Sequence, residues 1–208
     1  MSEQPIVHII DDDEPVRDAI SMLLDTVNLS HEEHESAQSF LSTADPAAAG
    51  CLVLDIRMPG MSGLDLQQHL LEEQIRIPII FITGHGDIPM AVEAMRRGAV
   101  DFIRKPFRDQ DLLDRIQEAL AVGEEQQAKA SRLNEARQKV ADLTKREQEV
   151  FRRVASGQAN KVIAIELGIS ERTVEIHRSH VMQKTASRTL ADLVRLQLSL
   201  EADEPRPN

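Results

Sequence analysis

The run Cys51-Leu52-Val53-Leu54-Asp55, followed by Ile56-Arg57-Met58-Pro59-Gly60, constrains the fold of this chain more than any other feature. Four apolar residues without alternation predict a strand buried on both faces, the environment of a parallel sheet covered by helices. An acid closes the run and a turn follows. Chemistry in such sheets gathers outside the carboxyl ends of the strands, so Asp55 stands where a reactive group belongs. The pattern repeats: Val7–Ile10 ends in Asp11-Asp12-Asp13, Ile79–Ile82 ends in Thr83, and Phe102-Ile103 leads to Lys105-Pro106. Three acids, a hydroxyl and a lysine converge on one sheet edge.

Between these strands the chain reads as helices at Glu14–Asp25, Ala37–Thr43, Gly63–Glu73, Ile88–Arg97 and Asp109–Val122, with a weak strand at Leu29–His34. The alternation implies a parallel α/β sheet over residues 1–122. Ser62 with Asp65 three residues on is an N-terminal cap, and Gly98 is a C-terminal stop. Residues 123–142 are rich in helix formers and predict a helical linker. Val122, Leu133, Ala136, Val140 and Leu143 form a thin stripe on it, which either pairs with a second copy or merely lines a solvated spacer. No strands follow. Helices are expected at Lys145–Ser156, Asn160–Leu167, Glu171–Thr185 and Leu190–Ser199, opened by a Thr144–Glu147 capping box. Gly168-Ile169-Ser170 makes a helix–turn–helix corner, with Ser170 capping the second helix. The second domain thus spans 143–200, and 201–208 is a polar tail expected to be disordered.

Charge separates the two halves. The 208 residues carry a net charge of −11, but residues 1–122 hold 22 acids against 9 bases, while residues 143–198 hold 6 acids against 10 bases. An acidic front and a mildly basic rear make the rear the candidate for nucleic-acid contact. The absence of Trp and Tyr argues against a binder that stacks bases on aromatic platforms. No secretory signal and no membrane span are read from the sequence, and a single cysteine fits a reducing cytoplasm.

Carboxylates gathered at one strand edge repel unless a cation neutralises them, and a hard divalent ion such as Mg²⁺ suits oxygen donors when phosphate is the substrate. An ionised aspartate beside such an ion can attack phosphorus. Lys105 can neutralise the transferred oxygens and Thr83 can donate a hydrogen bond to them, and phosphoryl transfer needs little else. Asp11, Asp12, Asp55, Thr83 and Lys105 are thus chemically complete for self-phosphorylation.

In order and spacing these residues, together with Asp55-Ile56-Arg57-Met58-Pro59-Gly60-Met61-Ser62-Gly63 and Lys105-Pro106-Phe107, resemble the receiver domain of two-component response regulators from about Pro5 to Val122. The resemblance implies a flavodoxin-like, doubly wound, five-stranded parallel sheet. It implies that Asp55 accepts a phosphoryl group from a histidine kinase. Asp12 and Asp55 would ligate Mg²⁺ directly, Asp11 would act mostly through water, and the main-chain carbonyl of Arg57 would complete the protein ligands. Thr83 and Phe102 would be the switch pair, Lys105 the phosphate-binding lysine, and Lys105-Pro106 a cis bond. The string Thr83-Gly84-His85-Gly86-Asp87-Ile88-Pro89-Met90-Ala91 resembles the FixJ-type subgroup. His85 is read there as a loop residue rather than a catalytic one. Cys51 reads as packing rather than redox. His31-Glu32-Glu33-His34 reads as a solvated turn rather than a chelating site.

In the rear half, Val162-Ile163-Ala164, Leu167, Ile169 and Val174 supply an apolar inner face. Arg172, Thr173, Glu175, His177, Arg178 and Lys184 lie on the opposite face, the mix of bases and polar groups that a DNA-reading helix needs. Residues 143–198 resemble the LuxR/NarL-type output domain, an all-α four-helix unit. That resemblance implies Lys161 and Lys184 on phosphates, and Glu175, Arg178 and Thr173 at bases; a glutamate can accept from cytosine N4. His177 shares this face, and its spacing from His180 is not read as a zinc site. Thr185, where an apolar residue is usual, is expected to loosen the last helix, and Phe151 replaces the common leucine.

The chain is therefore expected to be a FixJ/NarL-type regulator that dimerises on phosphorylation, binds promoter DNA and works with RNA polymerase. Its only enzymology would be Mg²⁺-dependent self-phosphorylation and slow self-dephosphorylation. A metal-dependent phosphatase with an aspartyl nucleophile is the first alternative, but Arg57 occupies the position two residues on where such enzymes often carry a second acid. The other alternative is an adaptor whose rear helices bind protein.

Overall fold

The computed structural model describes residues 4–46, 48, 50–84 and 88–201. The expectations for His85 and for the tail after Glu201 lie outside the described residues. In chain order the elements are β1 (Ile6–Ile10), α1 (Glu14–Thr26), β2 (His31–His34), α2 (Ala37–Thr43), β3 (Gly50–Asp55), α3 (Gly63–Glu72), β4 (Ile79–Thr83), α4 (Ile88–Arg96), β5 (Asp101–Arg104), α5 (Asp109–Ala141), α6 (Lys145–Ala155), α7 (Asn160–Leu167), α8 (Glu171–Lys184) and α9 (Leu190–Glu201). The chain forms two compact units, Met1–Ala128 and Lys129–Asn208. The expected helical linker is helical and continuous with α5, so the boundary between the units falls inside that helix.

In the first unit all strand pairs are parallel, in the order β2-β1-β3-β4-β5. This is the flavodoxin-like doubly wound order, with its switch point between β1 and β3. All six residues of β3 are buried because helices cover both faces. Leu52, Leu54, Ile10 and Phe81 pack with Phe40, Leu66 and Leu70 on one side. Cys51, Val53, Val7, Ile80 and Ile82 pack with Ile20, Leu24, Leu112 and Ile116 on the other. Cys51 is packing, as read from the sequence, and its burial pushes the thiol up to about 12.

Two local devices set the carboxyl end of β3. Ser62 and Asp65 form the expected capping box at the start of α3. Gly63 lies so close to β3 that a Cβ there would stand 2.3 Å from the Asp55 carbonyl oxygen, so only glycine lets α3 begin against that strand end. Gly98 (φ 91°) ends α4 as expected.

One front expectation is corrected. His31–His34 is not a solvated turn: the weak strand expected at Leu29–His34 forms there as the edge strand β2, paired to β1. His34 is buried, as is His8 facing it from β1, and the two rings meet Phe40 edge-on.

In the second unit Leu143, Val150, Phe151, Val154, Ile163, Ala164, Val174, Val181 and Leu193 form the core. Phe151 fills its centre. Thr185 is buried, and its hydroxyl donates to Val181 O (2.7 Å) and meets Ser187 Oγ (2.9 Å). The Thr144–Glu147 capping box forms, and Ser170 Oγ accepts from Thr173 N. Gly168 closes α7 in the left-handed region (φ 64°), which makes the helix–turn–helix corner. Two expectations fail here. Val162, read as part of the inner face, is 44% exposed. The stripe on the linker is not left for a partner helix along its whole length: Leu143 is core, Val140 packs on that core, and Ala136 is buried.

Candidate functional site

The carboxyl ends of β1, β3, β4 and β5 bring the first group together. Asp11 follows β1 and is buried, with Oδ1 accepting from Asp13 N (3.0 Å). Asp55 ends β3, is also buried, and accepts at Oδ2 from Arg57 N (2.7 Å). Lys105 bridges them: its Nζ stands 2.6 Å from Asp11 Oδ2 and 2.9 Å from Asp55 Oδ1. Its main-chain N–H donates to Thr83 O (2.7 Å), tying the end of β5 to β4, and Lys105-Pro106 is cis. Thr83 is buried at the same edge.

Asp12 is exposed, yet Asp11, Asp12 and Asp55 each offer an oxygen within 4.8 Å of the others. Three converging carboxylates are a hard donor set with room for exchange with solvent at Asp12, the chemistry Mg²⁺ requires. Arg57 contributes its N–H to Asp55, and its carbonyl belongs to the same turn. Burial raises the Asp55 carboxyl above its ordinary range, against the pull of the Lys105 ammonium. Burial acts on Lys105 in the opposite sense, but its bonds to Asp11 and Asp55 outweigh it and hold the ammonium above its ordinary value. The result is a compressed cation between two anions, preorganised for a group that carries more negative charge. Phe102 stands apart: it is 40% exposed on β5, beside Pro106 and Arg115.

The second group lies on α7 and α8. Lys161, Arg172 and Glu175 are exposed. Thr173 is half-buried with its hydroxyl 2.7 Å from Ser170 Oγ. Arg178 donates to Asn160 Oδ1 (2.6 Å), so the two helices of the corner are clamped by the arginine expected at bases. His177 is half-buried and turns Nδ1 inward, where it finds no hydrogen-bond partner among the described residues. Lys184 has a task the sequence does not show: its ammonium pairs with the buried Glu147 (2.7 Å) and reaches Asp142 O (3.5 Å). Nothing local signals this pair, because the partners are 37 residues apart. Also missed is the His8–His34 pair, 26 residues apart.

An α/β unit with an acidic pocket and a bridging lysine, followed by a helix–turn–helix unit, defines a signal-responsive transcription regulator. Residues 7–117 match the response regulator receiver domain, and residues 141–197 match the bacterial regulatory proteins of the luxR family. The response regulator protein TodT of Pseudomonas putida is 48% identical over 191 residues, covering 92% of this chain and 84% of TodT. The transcriptional regulatory protein FixJ of Rhizobium meliloti is 45% identical over 193 residues, 93% of this chain and 95% of FixJ. Among solved structures the response regulator StyR is 45% identical, with a TM-score of 0.86 over 94% of this chain and 99% of StyR. The chain belongs to the two-component response regulators, as a transcriptional member that joins a receiver to a LuxR-family DNA-binding domain.

Proposed function

We propose that Asp55 is the phosphoacceptor of this regulator and that a partner histidine kinase supplies the phosphoryl group. The observation that carries this is the Lys105 bridge between two buried carboxylates at the carboxyl edge of the sheet. An Asp55 oxygen forms the new bond to phosphorus, and the bond from phosphorus to the donor's imidazole nitrogen breaks, its electron pair leaving with the imidazole. Asp12 and Asp55, with the Arg57 carbonyl, would hold Mg²⁺ there, and Asp11 would support it from beside them. When bound, that ion neutralises charge on the phosphoryl oxygens. Lys105 exchanges its Asp55 contact for a phosphoryl oxygen, and Thr83 donates to another. Phe102, exposed before the event, follows Thr83 inward. The only turnover is self-phosphorylation and slow loss of the group.

The added charge of about −2 remodels the face of α4 and α5, and dimerisation there brings two output domains to paired half-sites on promoter DNA, in contact with RNA polymerase, in the cytoplasm. Effective concentration raises the affinity of the pair. Light scattering tests the step directly. With Mg²⁺ and beryllofluoride, a phosphoryl mimic, the molar mass of the full chain is expected to shift from monomer to dimer. An unchanged mass would place control elsewhere than at receiver dimerisation.

The output domain reads DNA with Lys161 on a phosphate and Glu175, Arg178 and Thr173 at bases; Lys184 lies near the backbone while it holds Glu147. His177 adds a contact. Lys161→Ala is expected to weaken binding on all sequences alike and to reduce the slope of log affinity against log salt by about 0.9. Titrations at several salt concentrations check this; an unchanged slope would take Lys161 off the phosphates.

A further inference from the structure

We propose that His8, Glu32 and His34 form a second metal site in the receiver unit, suited to a late first-row divalent ion of the Zn²⁺ class. The three side chains share one face of the β1–β2 pair, because His8 sits opposite Glu32 and Ile10 opposite His34 in the parallel register. His8 Nδ1 lies 3.2 Å from His34 Nε2 and 3.5 Å from Glu32 Oε2, and His34 Nε2 lies 3.9 Å from the same oxygen. The point equidistant from three atoms so spaced is about 2.1 Å from each, which is the length of Zn–N and Zn–O bonds. A hydrogen-bonded histidine pair needs only the first of these distances. The carboxylate oxygen closing the triangle is what a ligand set adds.

The surroundings supply what such a site needs. Thr43 Oγ1 gives its proton to Ser39 O (2.7 Å), so toward His34 Nδ1 (3.4 Å) it is an acceptor. That makes Nδ1 the protonated nitrogen of His34 and turns the Nε2 lone pair toward the other two donors, the outer-shell arrangement of ligating histidines. In the metal-free protein His8 Nδ1–H then donates to His34 Nε2. Binding requires only that His8 move its proton to Nε2, with none released. Burial, the largest influence on both rings, lowers His8 and His34 and keeps them in the neutral, ligating form. The rings are buried while the Glu32 side chain is about half exposed, so an ion enters from the Glu32 side and keeps a water there. Two imidazoles select against Mg²⁺, which belongs with the carboxylates of the phosphorylation pocket.

Calorimetric titration of ZnCl₂ into the full chain, in millimolar Mg²⁺ to fill that pocket, tests this. One site per chain is expected, and Glu32→Gln, a half-exposed change that leaves the core intact, is expected to weaken it by about tenfold or more. Long-range ¹⁵N spectra of the imidazoles should show His8 Nδ1 and His34 Nε2 shifting on zinc addition. The other nitrogen-bearing cluster among the described residues, Glu147 with His177 and His180, provides the control. Zinc lost with His180→Ala but kept with Glu32→Gln would overturn the proposal, as would no zinc uptake at all. Asp55 phosphorylation is unaffected by either of those outcomes, so the two readings fail separately.

Discussion

Asp55→Asn is expected to bring phosphoryl uptake to background and to abolish the phosphodonor-dependent change in DNA binding, while leaving the fold intact. The amide is isosteric, but Arg57 N and Lys105 Nζ donate to different oxygens of Asp55, so its single Oδ1 keeps one of the two bonds and the amide nitrogen faces the other donor. What is lost is the nucleophile, because an amide has no anionic oxygen to attack phosphorus. Lys105 then faces one anion, Asp11, instead of two, which removes part of the charge that compresses it. Intact-mass measurement after incubation with acetyl phosphate and Mg²⁺ reads the result directly, and circular dichroism confirms the fold. Continued uptake by the variant would move the acceptor to another acid of the pocket, with Asp12, the exposed one, first in line. Lys105→Ala gives a complementary result: Asp55 remains a nucleophile, but two buried carboxylates lose their shared cation, so uptake falls without vanishing and the Asp55 carboxyl rises further.

Much of this pocket is legible from the sequence because each of its parts terminates a short apolar run. Ala37–Thr43 and Asn160–Leu167 are read to the residue, and the capping boxes at Ser62 and Thr144 form where their spacing puts them. Local chemistry decides those features. The readings that fail depend on partners far along the chain. The weak strand read at Leu29–His34 is present, but its four residues are polar on both faces and read equally as a solvated turn; that second reading fails because β1 offers the segment an edge. Which of Asp11 and Asp12 is buried follows from the pleat at the end of β1 and from the reach of Lys105, 94 residues on from Asp11. Val162 is apolar and adjacent to two core residues, but a helix shows its neighbours to different sides, and α7 presents Ile163 and Ala164 inward. Lys184 looks like one more base on a DNA-reading face until its counterion appears on another helix.

That counterion is the site of the second large effect. Glu147→Ala is expected to destabilise the output unit by about 2 kcal/mol, combining the loss of a charged hydrogen bond to the part-exposed Lys184 with a lost cap acceptor. The Glu147 side chain is 5% exposed, and Oε2 accepts from Lys184 Nζ (2.7 Å) and from Thr144 N (2.8 Å), while Oε1 lies 3.5 Å from His180 Nδ1. The Lys184 hydrogen bond, followed by the Thr144 N–H, depresses the Glu147 carboxyl from 4.5 to about 2. A depressed acid contributes its stability above its unfolded value and loses it as pH falls through the folded one. The output unit should therefore be fully held at neutral pH and weaken between about pH 4.5 and about pH 2. Glu147→Gln keeps an acceptor for Thr144 but no charge, so it should fall between wild type and Glu147→Ala at neutral pH and lack this acid-dependent loss. With no Trp or Tyr to report unfolding, hydrogen exchange of the α6 and α8 amides in the full chain is the measurement, and unchanged protection in Glu147→Ala would refute the tie. The same variants separate the two duties of Lys184. Glu147→Gln leaves its ammonium without a counterion, so DNA affinity in the folded fraction should hold or rise if Lys184 serves a phosphate. Lys184→Met removes the phosphate contact and the tie together, and should lower both affinity and protection. A Lys184→Met protein that loses protection but keeps its salt slope would make the lysine a structural residue alone.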